Sequence, residues 1–369
     1  MKKNFVKNLL LFTALVTCIF IAGCKKKEAK SELPYSLRIA KIGASALISP
    51  LISISEENGY FEKYGLSTTM GMVDNTTNVD ALSIGKIDTI FQQMNQQLAA
   101  ADQGAKITFF AGNRSGGVYV VSRLEDAELL KDPRNWVGKT LGTLSPISNL
   151  EFILDSQLKA DYGIDVQKDI KFKRYNDHQA SLMALQRKEV DITFADPPAL
   201  DGAPPEDRGL TILYPLTHIQ EGYVCCRQMA WTDAIEQKPE AFKAYLKAQI
   251  IAYKDYTTNR EKAIKDIAAA TNQTIDYTAR NVYDRATNGD RIHSPDPNYN
   301  GTLAQYESMI KWGYTPGNRP LYELFNISIY ASALKEILQE YPDEPSYKEL
   351  WEYFKTHNDK YPDFAKNYL

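Results

Sequence analysis

Histidine and cysteine are scarce in this chain, four of each among 369 residues, and that scarcity removes many of the ways a protein does chemistry. No G-x-S-x-G, H-E-x-x-H or G-x-G-x-x-G stretch occurs, so no nucleophile elbow, zinc-peptidase helix or dinucleotide loop is predicted. Gly138-Lys139-Thr140 has the ending of a phosphate loop, but Pro133 stands where the first glycine is required, and the segment is expected to begin a strand. A basic excess is also missing. The 43 Lys and Arg stand against 46 Asp and Glu, which leaves no electrostatic footprint for nucleic acid. The uncharged apolar stretch from Asn8 to Gly23 is too short to span a bilayer comfortably.

Lys2, Lys3 and Lys7 precede that stretch, which reads as a secretory leader. It ends in Ile21-Ala22-Gly23-Cys24, which resembles the lipobox of bacterial lipoproteins, where small residues admit a peptidase and the cysteine takes the lipid. The resemblance implies a lipoprotein signal peptide at 1–23, a mature N-terminus at Cys24 and an acyl anchor there, palmitate included. The protein is then expected on the outer face of the cytoplasmic membrane of a bacterial envelope, facing the periplasm or the exterior. Losing three lysines leaves 40 basic residues against 46 acidic ones, a mature charge of about −6 that suits a soluble surface. Residues 24–36, with Lys25, Lys26, Lys27 and Pro34, are expected to be a tether.

With Cys18 in the leader and Cys24 in the anchor, Cys225 and Cys226 remain. A strand sends adjacent side chains to opposite faces, so the two are not expected to close an unstrained disulfide. No further Cys or His sits at ligand spacing, and the pair reads as structural rather than as a metal or redox centre.

From Leu37 onward strand-like runs alternate with amphipathic helical segments, the pattern of an open α/β sheet. One unit occurs twice. ALSIGKIDTIF at 81–91 aligns without a gap on ALQRKEVDITF at 184–194, pairing Leu82 with Leu185, Asp88 with Asp191 and Phe91 with Phe194. Each copy is a helix end running into a short strand, which predicts two lobes of similar build. Beyond about residue 235 the pattern becomes helical, at 239–256, 261–270, 276–286, 302–312 and 328–340, with no strand signal. The expected division is a first lobe beginning at 37–118, a second lobe at 119–221, and 222–369 completing the first lobe with a helical tail over it. The crossings fall near 117–121 and 219–225.

The segment PLISISEENGYFEKYGL at 50–66, then Gly138-Lys139-Thr140-Leu141-Gly142, Glu189-Val190-Asp191 and Phe194-Ala195-Asp196-Pro197, resembles in order the nitrate/sulfonate/taurine-type substrate-binding proteins, which include thiamine-precursor binders. The resemblance implies an α/β, two-lobed periplasmic-binding-protein type II fold, a small organic anion or heterocycle as ligand, ABC permease subunits as partners, and a monomer without cofactor or metal. An exported enzyme on the same scaffold, similar to thiamine-pyrimidine synthases, is the alternative; it would call for Cys or His in the cleft, and Cys225 and Cys226 lie near a crossing.

In open α/β lobes ligands collect where strand ends run into helix N-termini. Three loops have that form: Gly43–Ala46 with Ser45, Asp74–Asn78 with Asn75, and Ser145–Asn149 with Ser145, Ser148 and Asn149. Plain helix capping is the other use of each. Gln92 and Gln93 open a run of amides where the family's third ligand loop lies, and they depart from the small residues of the sulfonate binders. Asp196 matches the family's Asp-Pro position and also suits a cap on the following turn. Arg114 near the first crossing, Asp177 before the repeated helix and Glu221 at the second crossing complete the candidate ligand contacts; none is assigned a catalytic role. Asp296, Asn298, Asn300 and Glu307 have the spacing of a calcium loop, but the neutral amides favour a turn leading into a helix at Thr302.

Overall fold

The computed structural model describes residues 33–41, 49–73, 77–144, 149–200, 205–284 and 291–369. The chain separates into two compact units, Met1–Pro34 and Tyr35–Leu369, and the second holds every described strand. Cys24, Ser45, Asn75, Ser145 and Ser148, named above, lie outside the described residues, as does the Asn149 side chain.

The first sheet contains β1 (Tyr35–Lys41), β2 (Leu66–Met72), β3 (Thr89–Gln93), β4 (Ile107–Gly116), β10 (Val224–Trp231) and β11 (Arg291–His293), in the order β11-β4-β10-β3-β1-β2. The second contains β5 (Tyr119–Arg123), β6 (Thr140–Leu144), β7 (Lys171–Tyr175), β8 (Ile192–Ala195) and β9 (Leu210–Pro215), in the order β7-β6-β8-β5-β9. Setting β11 aside, the two orders superpose strand for strand. In the first, β1 is parallel to β2 and β3, β3 is antiparallel to β10, and β10 to β4. In the second, β6 is parallel to β7 and β8, β8 is antiparallel to β5, and β5 to β9. The antiparallel partner of β3 or β8 is in each case the strand that has just crossed from the other sheet.

The doubled sequence unit is real in three dimensions. Helix Asn78–Ser83 leads into β3, and helix His178–Gln186 leads into β8. Leu82, Phe91, Leu185 and Phe194 are all buried, because the shared apolar spacing turns the same faces inward. The two aspartates do the same work: Asp88 accepts the backbone N–H of Arg38 at 2.7 Å, and Asp191 that of Thr140 at 2.9 Å. Each fastens the turn entering its central strand to the neighbouring parallel strand.

The tail returns over the first sheet. Helix Pro239–Thr258 places Phe242 and Tyr245 in one apolar core with Ile39, Ile90 and Phe110, and Phe110 meets Phe242 edge-on at 5.1 Å. Helices form at 260–271, 299–311 and 328–340, close to expectation. Three features depart from it. β11 is a strand inside the tail, paired with β4. The expected helix at 276–286 is a four-residue helix, Ile275–Thr278, followed by a π turn at Ala279–Asp284. A further helix, Pro345–His357, buries Tyr347, Leu350 and Phe354. The tail also touches the second sheet's helix Asn149–Tyr162, through Phe152 on Trp312 and an ion pair of Lys311 with Asp155.

Gly112 marks where the tail crosses β4 closely. Its N–H donates to the Pro295 carbonyl at 2.9 Å, and a Cβ there would lie 2.6 Å from the Ser294 carbonyl oxygen. Asp296 follows in that segment. Burial pushes its carboxyl up to about 7, against hydrogen bonds from Asn358 and the Asn298 backbone and the nearby Arg227 charge. The calcium-loop spacing is spent on a cap: Asn298 accepts the N–H of Gly301, and the helix starts at Tyr299.

Candidate ligand-binding site

The two sheets are joined by the short step from Gly116 to Tyr119 and by the segment from Leu216 to Tyr223. Beside these crossings the ladders place Gln93, Cys226, Arg114 and His293 in one row across β3, β10, β4 and β11. Gln92 stands opposite Arg227 in the adjacent register. Two candidates far apart in sequence, the Gln92–Gln93 pair and Arg114, are thus brought to one place, with the cysteine pair between them.

This region buries polar atoms that have no partner. Gln92 Nε2, Asn113 Nδ2, Arg114 Nε and Arg227 Nε are enclosed without a hydrogen bond among the described residues. All four are donors. Native proteins pair most such groups, so a cluster left open is a place where an acceptor is expected. Arg114 is 8% exposed and Arg227 1%. Burial lowers both guanidinium pKa values, but the Cys225 and Cys226 sulfurs and Asp196 more than reverse that for Arg114, whereas Arg227 stays lowered. Both arginines remain cations at neutral pH.

Around Gln92 lies a network of amides. Asn78 Nδ2 donates to Gln92 Oε1 at 3.4 Å, and Gln97 Nε2 to Asn78 Oδ1 at 3.1 Å. Gln305 Nε2 donates to Asn95 Oδ1 at 2.6 Å. Gln305 and Gln220 line a narrow crevice walled by Phe152, Ile153, Val224 and Ser308. The second-sheet helix, the second crossing and the tail meet there.

The remaining candidates lie elsewhere or have local tasks. Asp196, at the end of β8, accepts the Ala199 N–H at 3.3 Å and adds its field to Arg114, so its cap and its place near the row coexist. Asp177 is exposed and caps its helix by accepting the Ala180 N–H at 2.7 Å. Glu221 is exposed in the second crossing. The expectation that strand geometry keeps the two cysteines apart is corrected: their sulfurs lie 3.3 Å apart. The β10–β4 ladder slips between Val224 and Cys226 and again between Cys226 and Arg227, and such bulges break the alternation of faces. Arg227 and Asn113 were not singled out in the sequence; a lone arginine inside VCCRQMAW was the available signal.

No curated protein matches the chain at a significant level. Among solved structures, it is similar to a putative periplasmic sulfonate-binding protein of an ABC transporter from Methylobacillus flagellatus, with 18% identity over 82% of this chain and 94% of that one, TM-score 0.63. It is also similar to the periplasmic nitrate-binding protein of Synechocystis, with 15% identity over 82% and 88%, TM-score 0.61. A desulfurization enzyme has the same fold, with 11% identity over 82% and 99%, TM-score 0.56. The two sheets are therefore those of the periplasmic-binding-protein fold. Residues 50–281 match the sequence model described as NMT1/THI5 like, and the chain belongs to that family.

Proposed function

We propose that the chain is a solute-binding protein of an ABC importer, held outside the cytoplasmic membrane by a lipid on Cys24, and that it traps a small organic anion between two lobes. The observation that carries this reading is the cluster of buried donors without acceptors, Gln92 Nε2, Asn113 Nδ2, Arg114 Nε and Arg227 Nε, beside the two crossings. An anionic group satisfies several donors at once and is drawn to the Arg114 and Arg227 charges. The lobes would be 37–118 with 222–369, and 119–221. A ligand touching both stabilises the closed arrangement by its differential affinity, and the closed form is what the permease subunits meet. The amides around Gln92 would orient the rest of the molecule.

Native mass spectrometry of the protein isolated from its own source tests this. A small acid that is present in the native spectrum and lost on denaturation is expected; identical native and denatured masses contradict it. Metabolic palmitate labelling tests the anchor, with label expected in wild type and lost in Cys24→Ser. Equal label in both sinks that part.

The second reading, an exported enzyme on this scaffold, is favoured by the fold shared with a desulfurization enzyme. It requires turnover of the recovered small molecule, which the same spectrum, followed in time, would reveal.

A further inference from the structure

Cys225 and Cys226 have no task in the proposed capture of a ligand, yet the fold brings their sulfurs to 3.3 Å, and neither is held in a disulfide. Two successive register slips in the β10–β4 ladder produce this approach. Arg114 Nη2 donates to Cys225 Sγ at 3.0 Å. A cation against a sulfur is the environment that makes a cysteine nucleophilic. The Cys226 thiol is pushed well up, first by its hydrogen bond to Cys225 and then by burial, so Cys226 keeps its own proton. Cys225 is 7% exposed and Cys226 2%, and a small reagent arriving from solvent meets Cys225 first. The geometry thus separates an attacking sulfur from a resolving one.

We propose that Cys225 and Cys226 form a redox-modification site that closes reversibly to a vicinal disulfide by exchange with a small-molecule disulfide. The Cys225 thiolate attacks one sulfur of the reagent, forming a mixed disulfide and releasing one thiolate. Cys226 then gives up its proton and attacks Cys225 Sγ, which breaks the mixed disulfide and releases the second thiolate. The Cys226 proton, and one from solvent that replaces the proton Cys225 gave up on becoming a thiolate, end on the two released thiols; the pair is oxidised by two electrons and the reagent is reduced by two. A trans peptide holds adjacent Cα atoms about 3.8 Å apart, shorter than the roughly 4.4–6.8 Å usual for bridged cysteines. The closed ring is therefore strained and opens easily to dithiols, which is what makes the site reversible.

Peptide mapping tests the proposal on the folded, full-length protein. The protein is incubated with oxidised glutathione without denaturant, quenched with acid, alkylated under denaturing conditions and digested with trypsin. Residues 209–227 contain both cysteines and no Lys or Arg before Arg227, so one peptide reports the pair. The expected product is that peptide without alkylation and lighter by two hydrogen atoms, returned to the doubly alkylated form by dithiothreitol. Cys226→Ser is expected to stop at a glutathione adduct on Cys225, and Cys225→Ser to react about tenfold more slowly or less. A doubly alkylated wild-type peptide after incubation overturns the proposal. So does a disulfide that forms only when the protein is unfolded first, or faster reaction at Cys226 than at Cys225.

Discussion

The two sheets have the same strand order and the same aspartate latch, but they embed that latch differently. Asp88 in the first sheet is buried and also binds Arg38 Nη2 at 2.8 Å and Lys238 Nζ at 2.9 Å. Asp191 in the second is partly exposed, and its cation, Arg123, stands at 3.6 Å. Lys238 directly precedes the tail helix Pro239–Thr258, so the added burial and charge arrive with the tail. One supersecondary unit used twice has become a covered base in one sheet and a lighter, more open element in the other.

Removing the latch on the covered side is expected to have the largest effect. Asp88→Ala strands two cations and one backbone N–H, and should cost about 3 kcal/mol of unfolding free energy in urea. The acid limb sharpens the same point. Burial pushes the Asp88 carboxyl up, but hydrogen bonds from Arg38 and Lys238 outweigh it and hold the group below the usual carboxylate range. Its contribution is therefore full above the unfolded pKa of about 4 and is lost as pH falls through the lower folded value. Stability measured down the acid limb should fall less steeply in Asp88→Asn than in wild type; parallel curves would break the argument.

Next in size is a packing difference between matched positions. Ala40 on β1 pairs with Ile90, and Gly142 on β6 pairs with Thr193, at the same offset from the latch. A Cβ on Gly142 would lie 2.5 Å from Ser181 Oγ and 3.0 Å from Thr193 Oγ1. Gly142→Ala should cost about 2 kcal/mol by overpacking, and adding Ser181→Ala should recover part of that. Equal stability of Gly142→Ala and wild type would mean that the second sheet yields more than its packing implies. The smallest effect is expected for Asp191→Ala, about 1 kcal/mol in the same urea titration. A loss as large as that of Asp88→Ala would erase the contrast between the sheets.

The repeated unit was legible in the sequence because Leu82 and Leu185, or Phe91 and Phe194, are apolar at positions fixed by one helix-to-strand geometry. Gln92, Gln93 and Arg114 were legible as strand-end polar residues, but their meeting was not, since it depends on which strands become neighbours. β11 was hidden because three residues carry no periodicity. Pro345–His357 is legible in Tyr347, Leu350 and Phe354, which stand at helical spacing. The approach of Cys225 to Cys226 follows from bulges set by partner strands, which a single strand's sequence does not encode. Arg227 looks like any strand residue until the tail covers it.

Calorimetry of the molecule recovered from the native complex tests the two-sided trap most directly. Wild type is compared with Gln92→Ala on the first sheet and with Ser148→Ala combined with Asn149→Ala, the second-side residues expected from the sequence. Each lost hydrogen bond is worth about 1 kcal/mol, so both variants should bind at least about fivefold more weakly while each still unfolds in one cooperative urea transition. Wild-type affinity in the second-side variant would mean that one lobe holds the ligand alone, and the trap would be wrong.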